Sequence, residues 1–155
     1  MWTFFFIPAV FALDQVSKLA VLQYFSTHQT PLEIFPFFNI ILAFNRGIAF
    51  SFLNNMGPTG FWLLTAVISL VVVFLLLWWA WEKNTFSRIC LALIIGGALG
   101  NLLDRLRLGM AVDFLDVFWH NYHWPTFNVA DSFISICVIL LVVHSFFTHK
   151  TREQK

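Results

Sequence analysis

Asp113 is the residue hardest to account for without a function. It lies in Met110-Ala-Val-Asp113-Phe-Leu-Asp116-Val-Phe118, an alternating apolar stretch with no Lys or Arg within five residues of it, so no local ion pair justifies the charge. A second carboxylate, Asp131, follows 18 residues later in Phe127-Asn128-Val-Ala-Asp131-Ser132. Two carboxylates that face each other cannot both ionise easily. They share a proton, one serving as base and the other as acid. With a water between them, such a pair can attack a peptide carbonyl. No other nucleophile is arranged for the task. Ser17 and Lys18 are adjacent, so they point to different helix faces, and no Ser-His arrangement competes. His120 and His123 flank Asn121-Tyr122 in a Trp-rich stretch and could ligate a metal, but no HExxH or second ligand pair accompanies them. Interfacial aromatic residues explain that stretch better. Neither metal nor cofactor is expected.

Other polar residues surround the pair in sequence. Half of the eight acidic residues (Asp104, Asp113, Asp116 and Asp131) fall between Asn101 and Ser132, and a carboxylate in or near hydrocarbon is costly enough to be a functional hypothesis by default. Several of these residues also have a structural reading. Asp14 and Lys18 are four apart, share a helix face and can neutralise each other. Asp104-Arg105 can anchor a helix at an interface. Asn128-x-x-Asp131 reads as an N-cap followed by an acid in the first turn, where the helix dipole favours it. Gly96-x-x-x-Gly100 fits close helix packing.

The elements that must position these residues are membrane helices. The chain has 155 residues, 59% hydrophobic and 11% charged, whereas a soluble domain carries about 25% charged residues. Mean hydropathy is +0.79. Net charge is +1, so nothing points to nucleic acid. Cys90 and Cys137 lie inside apolar runs and read as packing residues, not as a disulfide framework. Met1 to Leu13 lacks a basic leader and a small-residue cleavage site, and reads as a retained helix. Four stretches reach the roughly 20 apolar residues a crossing needs: about 2–25, 61–81, 88–106 and 131–149. The expected architecture is an all-α membrane protein, a single membrane domain over 1–155. It carries a small extracytoplasmic β-rich insertion at about 31–53 and an outer loop at about 107–130.

Orientation follows from the basic residues. Lys83, Arg88, Lys150, Arg152 and Lys155 lie on one side; Arg46, Arg105 and Arg107 lie on the other. The bias places both termini in the cytoplasm. Asp14 and Lys18 then lie in the outer half of helix one, Asn101, Asp104 and Arg105 at the outer end of helix three, and Asn128 and Asp131 at the outer start of helix four. Charge converges at one depth from separate segments. In the first outer connection, Phe38, Ile40, Leu42 and Phe44 recur at period two and predict a strand with one apolar face. Asn45-Arg46-Gly47 reads as a turn and Asn54-Asn55-Met-Gly57-Pro58 as a loop. Such a strand either lies on the membrane, cradles an apolar ligand or caps the bundle. A small ion or proton transporter could use the same membrane carboxylates, but a transport path needs charge toward the cytoplasmic side as well, and a pure scaffold leaves Asp113 unexplained.

Five blocks of this chain, in order, resemble the signature blocks of bacterial lipoprotein signal peptidase (signal peptidase II). They are Asp14-Gln-x-Ser-Lys18, Asn45-Arg46-Gly47, Gly96-Gly97-Ala98-Leu99-Gly100-Asn101-Leu102-x-Asp104-Arg105, Val112-Asp113-Phe114 and Phe127-Asn128-Val129-Ala130-Asp131-Ser132. The resemblance covers nearly the whole chain. It implies four transmembrane helices, an outer β-cradle and an aspartyl-protease mechanism. The implied reaction removes the signal peptide of diacylglyceryl-modified prolipoproteins, cutting before the lipidated cysteine. By position, Asp113 and Asp131 correspond to the catalytic dyad. Asn45, Asn101, Arg105 and Asn128 match polar residues around it, with Asp14, Lys18 and Asp104 in support. The expected partners are the diacylated prolipoprotein and membrane lipids. The expected setting is the bacterial inner membrane, with the site near the periplasmic face of a monomer.

Overall fold

The computed structural model describes residues 2–46 and 57–152. Among these residues, four helices are long and apolar enough to cross a membrane, with mean hydropathies of 1.6, 2.7, 1.7 and 2.2 in chain order. They are α1 (Phe6–Phe25, after a single 3-10 turn at Trp2–Phe5), α2 (Gly57–Trp81), α3 (Thr85–Leu108) and α4 (Val129–Arg152). The strands are β1 (Leu32–Phe35), β2 (Phe38–Asn45), β3 (Ala111–Trp119) and β4 (Tyr122–His123), in the order β1-β2-β3-β4 with antiparallel pairs. The expected class, a helical membrane protein with a small sheet, is what is found. Helices α1 and α3 both run into the sheet, and α4 starts from it, so the sheet covers one end of the bundle. The Asn45-Arg46-Gly47 turn beyond Arg46 and the loop reading over Asn54–Met56 lie outside the described residues, and Gly57-Pro58 open α2.

Helix α3 is the hub. In its most apolar window 56% of residues are buried, against 11–22% in the other three spans, and it packs on α1, α2 and α4. Its glycines make this possible. A Cβ on Gly96 would stand 2.6 Å from the Ile7 carbonyl oxygen, one on Gly97 would stand 2.9 Å from that of Ala130, and one on Gly100 would collide with the Asp14 carboxylate. The Gly96-x-x-x-Gly100 stripe therefore brings α1 against α3, as close-packed membrane helices require. The ends of α3 are also written in its sequence. The Asn84 side chain caps the start by accepting from Ser87 N–H at 3.0 Å, and Gly109, at φ +76°, ends it in the left-handed conformation that glycine adopts without strain.

Two features differ from the sequence reading. The stretch 107–130, read as a loop, contains β3, an inner strand of the sheet. And the face of β2 is not the simple alternation of Phe38, Ile40, Leu42 and Phe44. Ile40 pairs with Leu115 but Ala43 pairs with Asp113, so β2 holds one extra residue there, a β-bulge. Past the bulge the face passes to Ala43 and Asn45, and Phe44 turns to the other side, 48% exposed. A bulge re-aims the side chains that follow it. Here it turns Asn45 onto the same face as Asp113.

Candidate active site

The first turn of α4 is held by a reciprocal cap. Asp131 N–H donates to Asn128 Oδ1 at 2.9 Å, and Asn128 N–H donates to Asp131 Oδ2 at 3.2 Å. This is the capping-box pattern with aspartate in place of the usual glutamate. It leaves the Asn128 amide nitrogen free for other work. Asn128 Nδ2 lies 2.7 Å from Asp113 Oδ1, 3.0 Å from Asn101 Oδ1 and 3.2 Å from the Val112 carbonyl. One fully buried residue thus touches both aspartates.

Each aspartate has a second donor. Asn45 Nδ2 donates to Asp113 Oδ2 at 2.9 Å, and Asn101 Nδ2 donates to Asp131 Oδ1 at 2.8 Å. Asp113 is 1% exposed. Burial pushes its carboxyl up to about 6, and the negative charge of Asp131 adds to the rise; the hydrogen bonds from Asn45 and Asn128 and the charge of Lys18 act against it. Repulsion between the two carboxylates therefore reaches Asp113 within the same site.

Behind this pair lies a buried ion cluster. Lys18 Nζ sits 2.7 Å from Asp14 Oδ2, 2.7 Å from Asp104 Oδ2 and 2.9 Å from Asn101 Oδ1. Asp14 Oδ1 accepts Ala130 N–H at 3.1 Å and so reaches the first turn of α4. Asp104 Oδ2 accepts Val112 N–H from β3 at 3.3 Å. Gln15 Nε2 adds contacts of 3.2 Å to Asp14, 3.2 Å to the Gly100 carbonyl and 3.1 Å to Asp104. Arg105 Nη1 donates to the Asn101 carbonyl at 3.0 Å, and its charge acts on Asp131, Asp113 and Asp104. Its Nε–H is buried and has no hydrogen-bond partner among the described residues.

All nine residues singled out from the sequence meet in this network: Asp14, Lys18, Asn45, Asn101, Asp104, Arg105, Asp113, Asn128 and Asp131. Two readings needed enlarging. Lys18 pairs with Asp104 as well as Asp14, and Asp104 is an internal ion-pair partner, not an interfacial anchor. Gln15 was missed, although its place beside Asp14 in a polar interruption of an apolar helix was the available signal. Asp116 is buried separately and is 2.8 Å from His123 Nδ1, whose ring stacks on Phe118.

A family model described as Signal peptidase (SPase) II matches residues 6–147. The chain belongs to the signal peptidase II family. A protein named Lipoprotein signal peptidase from Aeromonas hydrophila is 44% identical over 146 residues, covering 92% of this chain and 87% of that one. One of the same name from Alteromonas mediterranea is 45% identical over 139 residues, covering 88% and 75%. A solved bacterial membrane enzyme shares the fold with a TM-score of 0.76 at 28% identity, covering 99% of this chain and 92% of its own. As a member of this peptidase family the chain is a multi-pass membrane protease, and the hydrogen-bonded aspartates lie in the stretch that the family model covers.

Proposed function

We propose that this chain is an aspartyl endopeptidase of the bacterial inner membrane that removes the signal peptide from diacylglyceryl-modified prolipoproteins, cutting before the lipidated cysteine. The observation that carries the reading is the bridging of Asp113 and Asp131 by Asn128; the names of the relatives supply the substrate class. Asp131 acts as the ionised base and takes a proton from water. The hydroxyl oxygen bonds to the scissile carbonyl carbon, and protonated Asp113 gives its proton to the carbonyl oxygen. The pair titrates as a unit. On collapse a gem-diol hydroxyl returns its proton to Asp113, the C–N bond breaks, and Asp131 gives its proton to the departing amine, which restores both aspartates. Three buried carboxylates, Asp14, Asp104 and Asp113, and the half-buried Asp131 have Lys18 and Arg105 as the cations beside them among the described residues, a balance that favours keeping one proton on the dyad. Arg105, whose charge acts on both aspartates, lends its guanidinium to a substrate carbonyl.

The basic-residue bias supports cytoplasmic termini and a site near the outer face, where a signal peptide presents its cleavage point. A monomer with lipid around its exposed apolar helix faces fits this picture. A transporter reading is disfavoured by the gathering of the buried carboxylates toward the sheet end of the bundle. The test uses purified protein in liposomes with a prolipoprotein carrying the diacylglyceryl group, beside the same precursor without lipid. The lipidated precursor should lose its signal peptide, and the unlipidated one should persist. Equal cleavage of both, or of neither, would sink the substrate assignment.

A further inference from the structure

The three donors of the Lys18 ammonium are fully committed, to Asp14, Asp104 and the side-chain oxygen of Asn101, and the residue is 2% exposed. The third bond has a consequence for the dyad. Asn101 Oδ1 accepts from Lys18 and from Asn128 Nδ2 at 3.0 Å, which leaves its NH2 to face Asp131 Oδ1 at 2.8 Å. Turning that amide over would set NH2 against an ammonium and against a second NH2, and would bring a carbonyl oxygen onto a carboxylate. All three contacts would be repulsive. The same carbonyl draws Asn128 Nδ2 into the orientation that donates to Asp113.

We propose that Lys18 is a positioning residue for catalysis: held by Asp14 and Asp104, it locks the side-chain amide of Asn101, and through it that of Asn128, so that both aspartates are met by N–H donors. A purely structural Lys18, joining α1 to α3, would need only the two carboxylates; the bond to Asn101 is what ties it to the chemistry. The inference rests on the aspartyl-dyad reading above, and acts on the arrangement of that dyad and not on substrate contact.

The test is a cycle of variants assayed on a synthetic peptide with an S-diacylglyceryl cysteine. Lys18→Met alone strands two buried carboxylates, so the cycle is run in an Asp104→Asn background, which relieves one of them. Each preparation is matched for folded protein by its melting in detergent, and rates are read above the floor set by Asp113→Asn. With Asn101 present, adding Lys18→Met should lower kcat by about a hundredfold, the scale of misplacing a reacting group, while KM stays within about twofold. With Asn101→Ala, where no amide remains to orient, adding Lys18→Met should change kcat by less than about twofold. The same fold-loss with and without Asn101→Ala would overturn the proposal, as would an unchanged kcat in both. Failure of the dyad reading itself shows separately, as wild-type cleavage by Asp113→Asn or Asp131→Asn.

Discussion

Asn128 does two jobs with one side chain: its oxygen caps α4 and its nitrogen serves Asp113. The cap was legible from Asn128-x-x-Asp131, because that spacing is local. The bond to Asp113 was not, because the sheet brings it from another element. Removing the side chain should therefore cost on both counts. Asn128→Ala is expected to lower stability by about 1 kcal/mol for the cap and by a further 1–3 kcal/mol, roughly, for the buried partners left unpaired, read by thermal unfolding in detergent, with cleavage lost as well. Asn45 offers a cleaner probe. Its amide favours the charged form of Asp113, whose carboxyl burial has already pushed up to about 6. If protonated Asp113 is the acid, kcat/KM falls as pH rises through that region. Asn45→Ala removes a stabiliser of the carboxylate, so the falling limb should move to higher pH. A limb that stays in place, or moves down, contradicts the role given to Asn45.

The β-bulge and the glycine stripe explain how elements made for packing come to carry chemistry. Apolar spacing announced a strand at β2 but could not show the extra residue between Ile40 and Ala43, since a bulge needs no particular residue type. That unseen residue decides whether Asn45 or Phe44 faces Asp113. β3 was read as loop although its stretch alternates: Asp113 and Asp116, three apart, fall on opposite faces of a strand, so the sequence sets neither face apart as polar, and in the fold Ala111 to Phe114 are all buried. The glycines were legible as packing residues, and their partners now sharpen the expectation. Gly100→Ala would gain up to about 1 kcal/mol of helix propensity in isolation. Here its Cβ meets the carboxylate of Asp14, so the variant should melt lower than wild type and cleave more slowly. Higher melting with full activity would show that Asp14 can move aside without consequence.

Four apolar spans were enough to lay out the helices, because hydrocarbon thickness acts on composition alone. What composition could not supply was the pairing of Lys18 with Asp104, 86 positions away. The proposed orientation has a direct consequence for labelling. His120, in the turn between β3 and β4, should react after His120→Cys with a membrane-impermeant maleimide on intact cells, and Lys83→Cys should react only after permeabilisation. Cys90 and Cys137, 3% and 2% exposed, should stay silent. The reverse pattern would invert the topology and put the aspartates on the wrong side for a translocated substrate. The fold as a whole serves to bring two acids from different elements onto the two ends of one asparagine. If they work as a unit, the most direct measurement is the cleavage rate of Asp113→Asn, Asp131→Asn and the double variant on the diacylated precursor. All three should fall to one common floor, since removing either member disables the pair; wild-type turnover by either single variant, or a double variant that loses the product of two partial effects, would contradict the account.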